Sequence, residues 1–360
     1  MTKRADIAVL FLVAFFALTC KKEPSPITPP PPPSHPTIAW TADTIRNPYA
    51  DSQLQLSSIW GSDTNDVYAT GHNGAGGNAS LFHFDGKAWT VVKVTQGEGG
   101  FIASYVWLMN VDGSGRNDVW VVGSRGDYNG SNIDSSLVIH YDGSSWKEVQ
   151  MQRCKFAIQS VKVNSPNDVF LGGSYGEVYH YNGSRFIETI LDSNVTVILG
   201  GDNMRMFSGG YTFYLPPQSR YFCVFSSETD EAWQLIKSAS EVNYYQQRTF
   251  GVLDYFSLGN GRYFVGGDGI YVVIDSTWQL SYSQDDYPYG RIRGTSADNV
   301  FAISALDRIL HWDGVDWKLL NLPDGLNGNQ QFGGLWVRDN KVFISCWYGF
   351  DVNIIYRGTY

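Results

Sequence analysis

Hydrophobic and aromatic residues alternate along this chain in short runs that end at Asn, Asp, Ser or Gly. This pattern is typical of short β-strands separated by turns. Four of the turns have nearly the same surroundings, namely LFHFDGKAW (81–89), LVIHYDGSSW (137–146), VYHYNGSRF (178–186) and ILHWDGVDW (309–317). In each, the Asp-Gly or Asn-Gly pair supplies the positive φ angles of a tight hairpin. The sequence therefore predicts the same hairpin at four places.

Each hairpin follows a second recurring segment, of which the fullest version is SIWGSDTNDVYATG (58–71). Shorter versions are NDVWVVG (117–123), SPNDVFLGG (165–173) and GTSADNVFAIS (294–304). Three degenerate copies of the whole unit lie at 203–236, 261–280 and 340–358. A unit of four strands repeated at this period predicts an all-β fold, a seven-bladed β-propeller of four-stranded antiparallel blades over residues 37–360.

The last copy stops after Tyr356, where a turn and a Trp-bearing fourth strand are expected. That strand is present at the other end of the domain, because IAWTAD (38–43) aligns with KAWTVV (87–92) and places Trp40 on Trp89. We therefore expect the N-terminal strand to complete the last blade and close the ring. Closure of this kind removes free sheet edges, which otherwise invite aggregation.

The first residues have the pattern of a targeting segment. Lys3 and Arg4 precede an unbroken apolar run, Ile7–Leu18, which is too short to span a bilayer as a helix and suits the core of a signal peptide. The run ends in ALTC (17–20), which resembles the lipobox of bacterial lipoproteins and implies a signal peptide at 1–19 and a lipid on Cys20. An ordinary cleaved signal is the alternative. Residues 20–36 then form a proline-rich linker.

The pattern WGSxxNDVxxxG…HxDGxxW resembles the propeller repeats of lipoproteins from Bacteroidetes and myxobacteria. The resemblance covers residues 38–358. It implies a propeller anchored through its lipid in the bacterial cell envelope, at the outer membrane, and it implies no particular activity. The adjacent Asp and Gly depart from the Asp-box of sialidase-like propellers, so sialidase chemistry is not expected.

The charge and the cysteine count bear on the partners of the protein and on its disulfide content. The formal net charge is −9 and no basic stripe exists, which argues against nucleic acid as a partner. Besides Cys20 the chain has Cys154, Cys223 and Cys346, an odd number that cannot pair completely. Buried thiols are therefore expected, although one bridge is compatible with the count.

In a four-stranded blade, the second-to-third loops and the links between blades share one face. These segments are long and varied here, whereas the other turns are short and regular, so we expect a ligand at the variable rim. The candidate residues are Tyr244, Tyr245, Asp285, Tyr287, Tyr289, Arg291, Trp347 and Tyr348. Aromatic rings beside carboxylates and a guanidinium suit a glycan or a peptide. Alternatively, the tyrosines only pack the loops against the blades.

Two further patterns could hold a metal ion. Asn110, Asp112, Ser114 and Asp118 have the oxygen spacing of a calcium loop, and the alternative is an ordinary turn. A calcium ion there would be structural, and no other cofactor is expected. Four histidines recur at one position of the repeat, namely His83, His140, His180 and His311. Equivalent positions in different blades do not converge, so hydrogen-bonded structural histidines are expected.

No nucleophile elbow, Cys–His signature or phosphate-binding glycine loop is present in the sequence. The sequence thus favours a non-enzymatic binding or scaffolding module. A glycan-active hydrolase or lyase, and an envelope assembly factor, are the alternatives.

Overall fold

The structure is a computed structural model, and the residues it describes all belong to one compact unit, Pro33–Tyr360. The described residues are 35–46, 53–73, 80–93, 105–126, 135–151, 157–174, 176–191, 195–202, 205–212, 220–227, 234–241, 254–267, 269–274, 277–283, 289–304, 308–321, 330–348 and 352–360. These ranges contain β-strands and turns and no helix. Accordingly, no described helix is long and apolar enough to cross a membrane.

After β1 (Ala39–Arg46), the described strands fall into six successive groups of four and a last group of three. The first groups are β2 (Leu54–Asp63), β3 (Asp66–Asn73), β4 (Leu81–Phe84), β5 (Trp89–Val91); β6 (Tyr105–Gly115), β7 (Asp118–Gly126), β8 (Ser135–Tyr141), β9 (Trp146–Glu148); and β10 (Ile158–Ser165), β11 (Asp168–Gly173), β12 (Glu177–Tyr181), β13 (Phe186–Ile190). The next groups are β14 (Val195–Asp202), β15 (Arg205–Thr212), β16 (Arg220–Ser227), β17 (Gln234–Glu241); and β18 (Asp254–Gly259), β19 (Arg262–Gly266), β20 (Ile270–Ile274), β21 (Thr277–Tyr282). The last are β22 (Tyr289–Ser296), β23 (Asn299–Ser304), β24 (Ile309–Trp312), β25 (Trp317–Leu320); and β26 (Gln330–Arg338), β27 (Lys341–Tyr348), β28 (Val352–Thr359).

Each group pairs in sequence order as an antiparallel meander, so the predicted four-strand unit is confirmed. The groups β2–β5 and β6–β9 are joined into one sheet by a short pairing of β3 with β6, through His72↔Trp107 and Asn73↔Val106. The first strand of each group contacts the first strand of the next. The result is a propeller-like arrangement of four-stranded sheets.

The inner strands are apolar on both faces because each sheet is covered by a neighbour on either side. In β3, Val67 and Ala69 pack into a cluster that includes Trp336 and Phe343 of the sheet formed by β26–β28. Tyr68, between them in sequence, packs on the other face into a cluster with residues of β6 and β7. This double burial is why segments such as DVWVVG read as continuous apolar runs rather than as alternating ones.

The hairpin turns differ in one detail from the prediction. The glycines do have positive φ, with 91° at Gly86, 87° at Gly143, 87° at Gly183 and 98° at Gly314. The preceding Asp or Asn does not, since the non-glycine residues of positive φ in the described chain are Asn260 and Asp339. Instead, the side chain of Asp85 accepts hydrogen bonds at 2.9 Å from the backbone amides of both Lys87 and Ala88. The acidic residue therefore stabilises the turn through its carboxylate.

The same glycines explain the recurring Asn of the Asn-Asp-Val segment. A Cβ placed on Gly86 would lie 2.9 Å from Cβ of Asn65, and one on Gly143 would lie 2.7 Å from Cβ of Asn117. The turn between the first two strands thus rests directly on the hairpin between the last two. Both recurring motifs are needed for one close contact, which is why they recur together.

The N-terminal strand takes the predicted position. β1 pairs with β28 over its full length, from Ala39↔Thr359 to Arg46↔Val352, and completes a sheet in the order β1-β28-β27-β26. Trp40 lies edge-on to Tyr356, with ring centroids 6.4 Å apart. The predicted pairing of the two ends of the domain is confirmed.

The sheet that contains both ends packs on the sheet β2–β5. Buried Asn353 of β28 accepts a hydrogen bond from the Leu56 amide at 3.0 Å and donates one to the Leu54 carbonyl at 2.8 Å. The Trp336 ring packs on Gly61, so closely that a Cβ added to this glycine would lie 2.9 Å from the ring. The Trp60 ring packs in the same way on Gly113 of the next sheet, where the distance would be 2.6 Å. The packing between last and first sheets therefore repeats the packing between first and second.

The cysteine prediction is confirmed at one position. Cys346 is a free, fully buried thiol in β27, and burial raises its pKa to about 12. Cys154 lies outside the described residues, and Cys223 lies on β16, where only the backbone is described.

Candidate functional site

The strand directions define two faces. We call "loop face" the one at which first strands begin and second strands end, and "turn face" the opposite one, which carries the first-to-second turns and the Asp-Gly hairpins. The described strands that flank the variable segments of the sequence begin or end at the loop face. A ligand that contacts the variable segments would therefore bind at this face.

Two exposed aromatic side chains of the described chain lie at the loop face. Trp107, near the start of β6, is 37% exposed, and Tyr348, the last residue of β27, is 39% exposed. His72 at the end of β3 contacts the Trp107 ring, with centroids 5.1 Å apart. Trp347 is half-buried beside Tyr348. Rings held by strand ends present a fixed apolar surface to solvent, which suits ligand contact.

The structure places the predicted rim residues as follows. Trp347 and Tyr348 are the last two residues of strand β27, at the loop face, and not part of a loop. Arg291 on β22 is half-buried, with Nη1 donating to the carbonyl of Gly290 at 2.9 Å. Tyr289 begins β22, and only its backbone is described. The other predicted rim residues, Tyr244, Tyr245, Asp285 and Tyr287, lie outside the described residues.

Arg291 belongs to a charged group between two first strands. Buried Asp254 of β18 pairs with the guanidinium of Arg293 and accepts a hydrogen bond from the Ile292 amide at 2.8 Å. Burial lowers the pKa of Arg291, although the charge of Asp254 opposes this. Because these contacts join neighbouring sheets, we assign this group to packing.

Sequence reasoning missed Trp107. The signal that could have found it lies in the repeat itself, because the equivalent position of β2 is occupied by Gln55. The equivalence is clear from the backbone: Gly71 and Gly123 each approach a first-strand carbonyl, those of Gln55 and Trp107 respectively. One repeat therefore has a solvent-exposed Trp where the preceding repeat has a Gln.

The turn face carries the recurring histidines, each bonded to a neighbour on the second strand. His83 Nε2 donates to Asp66 Oδ1 at 2.7 Å, Ser62 Oγ donates to the other oxygen of Asp66, and the His83 ring stacks on Tyr68 at 4.5 Å. The equivalent sets are Ser114, Asp118, His140 and Trp120; Asn164, Asp168, His180 and Phe170; and Thr295, Asn299, His311 and Phe301. The prediction of hydrogen-bonded structural histidines is confirmed.

The order of these groups separates them from a nucleophilic triad. In a triad the imidazole lies between serine and carboxylate and accepts the hydroxyl proton. Here Asp66 lies between Ser62 and His83, so the hydroxyl donates to the carboxylate and not to the imidazole. These sets tie the first-to-second turn to the third strand and do not activate a nucleophile.

The carboxylates of these sets give a testable pH dependence. Burial alone would raise the pKa of Asp118, but hydrogen bonds from His140, Ser114 and Trp120 bring it below its usual value of 3.8. A depressed pKa in the folded state stabilises the protein above pH 3.8 and loses this contribution as pH falls through the folded-state pKa. Asp118→Asn is expected to cost about 1–2 kcal/mol at neutral pH. Asn299 occupies the same position in another sheet, so the substitution fits the fold.

The check is urea unfolding of both proteins at neutral pH and at about pH 3. The difference in unfolding free energy between wild type and Asp118→Asn should shrink toward zero in acid. A difference that is the same at both pH values would mean that the Asp118 pKa is not depressed.

A cavity of about 410 Å³ lies at the turn face, where first strands of neighbouring sheets end. Trp60 and Trp336 line it together with Ser62, Ser114, Thr295, Arg338 and Asp339. The two indole rings are used against Gly113 and Gly61, and both serine hydroxyls donate to carboxylates. The two indoles and the two serine hydroxyls of the lining are thus engaged within the protein.

The calcium-loop residues have protein partners. Asn110 and Asp112 accept hydrogen bonds from the backbone amides of Val161 and Val163 on β10, at 3.2 and 2.8 Å. Ser114 and Asp118 bond to each other instead, at 2.5 Å. The four oxygen-bearing side chains are directed to two different places, and calcium binding here stays a prediction without support from the contacts.

A separate polar group lies at the turn-face end of β24. His35, four residues before the start of β1, is within reach of Asp313 and Asp316 of the last Asp-Gly hairpin. Its other ring nitrogen contacts His311 at 3.1 Å. Burial, together with the neighbouring His35, lowers the pKa of His311 to about 4.

Solved structures match this chain over most of its length. YCF48 bound to a D1 peptide is 14% identical with a TM-score of 0.61, and the match covers 91% of this chain and 97% of that one. The WD40 β-propeller domain of Doa1 is 11% identical, with a TM-score of 0.55 and coverage of 85% and 97%. The fold is a β-propeller. At these identities the likeness concerns the fold alone.

A third propeller-like match comes from the extracellular domain of a putative hybrid two-component system of B. thetaiotaomicron. It is 12% identical, with a TM-score of 0.57, and the match covers 88% of this chain and 40% of that one. No family model matches the sequence. No curated protein matches it either.

Proposed function

We propose that this protein is a seven-bladed, non-enzymatic binding propeller that takes a glycan or protein ligand at its loop face. A lipid on Cys20 holds it in the bacterial cell envelope, at the outer membrane. The observation that carries the binding role is the exposure of Trp107 and Tyr348 at the loop-face ends of the inner strands.

The blade number rests on the contacts of the first strands. β2 contacts β6, β6 contacts β10, and the series continues through β14, β18, β22 and β26, which contacts β2 again. The repeated Trp-on-Gly contact supports the same closure, since Trp336 meets Gly61 as Trp60 meets Gly113. Seven first strands arranged in this order correspond to the seven copies in the sequence.

The binding role rests on the contrast between the two faces. On the turn face, the described hydroxyl, carboxylate and imidazole groups of the repeated sets bond to one another and maintain the blade. On the loop face, Trp107 and Tyr348 present rings to solvent. A uniform scaffold with one diversified face is the usual arrangement of a binding protein. The peptide bound by YCF48 supports a protein ligand within this same fold.

The anchor rests on the first twenty residues of the sequence. A positive start, a twelve-residue apolar run and a cysteine after small residues together make the lipobox pattern, and the proline-rich segment 24–36 then serves as a spacer.

One experiment tests anchor and binding face together. The full-length chain, made in a bacterium that processes lipoproteins, is captured through its acyl chains on a lipid-coated sensor and exposed to glycan and peptide arrays. Cys20→Ser is expected not to be retained. Trp107→Ala/Tyr348→Ala should be retained but bind its array ligand roughly tenfold more weakly or worse, because aromatic anchors contribute more than about 1 kcal/mol each.

Ile190→Ala is the matched control for the rings. Ile190 is also an exposed apolar residue, at 62%, but it lies on an outer strand, so ligand binding should not change. Undiminished binding by the double variant would refute the assignment of the loop face, and retention of Cys20→Ser would refute the anchor.

A further inference from the structure

The segment just before β1 meets the last Asp-Gly hairpin at a cluster of metal-binding side chains. His35 Nε2 lies 3.0 Å from Asp316 Oδ1 and 3.5 Å from Asp313 Oδ2. The side chains of His35 and Asp313 are 12% and 7% exposed, whereas that of Asp316 is 71% exposed. Among the described residues, these three side chains lie close enough to one another to share one metal ion.

The repeat provides an internal comparison. The position of Asp316 is occupied in the other three hairpins by Ala88, Ser145 and Arg185. The position of Asn299 is occupied in the other three sets by Asp66, Asp118 and Asp168. Of these four repeats, this one alone has a carboxylate at the first position and an amide at the second. Asp316 contacts His35, and Asn299 contacts His311.

The hydrogen bonds of Asn299 determine which nitrogen carries the proton in both imidazoles. Its Nδ2 donates to Thr295 Oγ1 at 2.6 Å and to the hydroxyl of Tyr360 at 2.8 Å, so its Oδ1 faces His311 Nε2, 3.0 Å away, as an acceptor. His311 Nε2 must then carry the proton, which leaves a lone pair on its Nδ1. That lone pair accepts a hydrogen bond from Nδ1 of His35 at 3.1 Å.

This chain of hydrogen bonds determines what His35 presents to the carboxylates. With its proton on Nδ1, the neutral His35 ring has a lone pair on Nε2. That lone pair faces Asp316 Oδ1 and Asp313 Oδ2, which are also acceptors. Three acceptors directed at one another require a cation among them, either a proton on Nε2 or a metal ion. A ligand histidine that donates its other N–H to a neighbour is the usual arrangement at metal sites.

We propose that His35 Nε2, Asp313 Oδ2 and Asp316 Oδ1 bind one zinc ion, with His311 orienting His35. Tetrahedral zinc with bonds of about 2.0–2.2 Å separates its ligand atoms by about 3.3–3.5 Å, close to the two separations seen here. One imidazole with two carboxylates suits zinc better than calcium, which takes oxygen ligands. The exposure of Asp316 leaves room for a water molecule as fourth ligand.

The test uses the full-length chain purified in detergent, stripped with EDTA and titrated with zinc chloride by calorimetry. We expect one ion per chain, and visible absorption of a low-coordinate site when cobalt replaces zinc. His35→Gln, Asp313→Asn and Asp316→Ala should each weaken zinc binding at least tenfold. The last two substitutions install the residues of other repeats, Asn182 and Ala88, so the hairpin is preserved.

Asp142→Asn is the matched control, because Asp142 holds the same hairpin position in another blade and pairs with Lys147. Its zinc titration should equal that of the wild type. If the stripped wild type binds no stoichiometric zinc, His35 is held by a proton and the proposal fails. It fails equally if His35→Gln and Asp316→Ala bind zinc as the wild type does.

Discussion

Deletion of Ala39–Arg46 is expected to abolish cooperative unfolding of the propeller at 25 °C. This strand buries Ile45 in the cluster of the neighbouring sheet and packs Trp40 on Tyr356. Its Asp43 also accepts hydrogen bonds from Arg357 at 2.6 and 2.9 Å and from Trp89 of the first sheet at 3.0 Å. The loss is on the order of 5 kcal/mol or more, which matches the whole stability of many domains, about 5–15 kcal/mol.

The measurement is urea unfolding followed by tryptophan fluorescence. A synthetic peptide of residues 37–46 should restore the transition by pairing with the exposed edge of β28, whereas a scrambled peptide should not. Deletion of residues 24–34, outside the strand, should leave the midpoint unchanged. A deleted chain that unfolds at the wild-type midpoint without the peptide would refute the importance of this closure.

Asn353→Ala is expected to lower the free energy of unfolding by about 2–4 kcal/mol. The side chain is fully buried and satisfies the Leu54 carbonyl and the Leu56 amide, both in the adjacent sheet. Its removal leaves two buried backbone groups without partners, at about 1–3 kcal/mol each. Asn353→Asp should be at least as harmful, since a carboxylate cannot donate to the Leu54 carbonyl.

The matched control is Asn164→Ser, which installs the residue found at this position in two other sets, Ser62 and Ser114. This variant should stay within about 0.5 kcal/mol of the wild type in the same urea titration. Equal losses for Asn353→Ala and Asn164→Ser would show that the joint between the two sheets does not depend on the buried amide.

Repetition is what made the fold predictable. Each four-strand unit has its own turn residues and its own apolar runs, so local physical chemistry specified strands and hairpins one unit at a time. The missing strand of the last unit could be found at the N-terminus because Trp40 aligns with Trp89. The pairing of Ala39–Arg46 with Val352–Thr359 then confirmed a contact that spans nearly the whole domain.

The backbone conformation and the hydrogen bonds of the turns were harder to predict from the sequence. Asp-Gly is compatible with more than one hairpin turn, and here only the glycine has positive φ, because the Asp85 carboxylate accepts from the backbone instead. The Asn of the Asn-Asp-Val segment also had no assigned role in the sequence, since its contact with Gly86 joins two turns of one blade.

Some residues of the candidate sites could be predicted from the repeat, and others required the structure. Trp347 and Tyr348 could be assigned to the loop face from the repeat alone, because their place within the unit sets the end of the strand on which they lie. Trp107 could be recognised only from the exposed fraction of its side chain, which no local sequence pattern predicts. The cluster of His35 with Asp313 and Asp316 joins residues separated by about 280 positions, and neither segment has a metal-binding motif of its own.

By itself, the sequence determined the four-strand unit, its hairpins and the pairing of its two ends, because each depends on residues that are close in the chain or repeated along it. Only the tertiary structure decided which polar groups satisfy one another and which rings face solvent. Those properties depend on contacts between blades and turns, where hydrogen-bond partners and burial are set by distance in space.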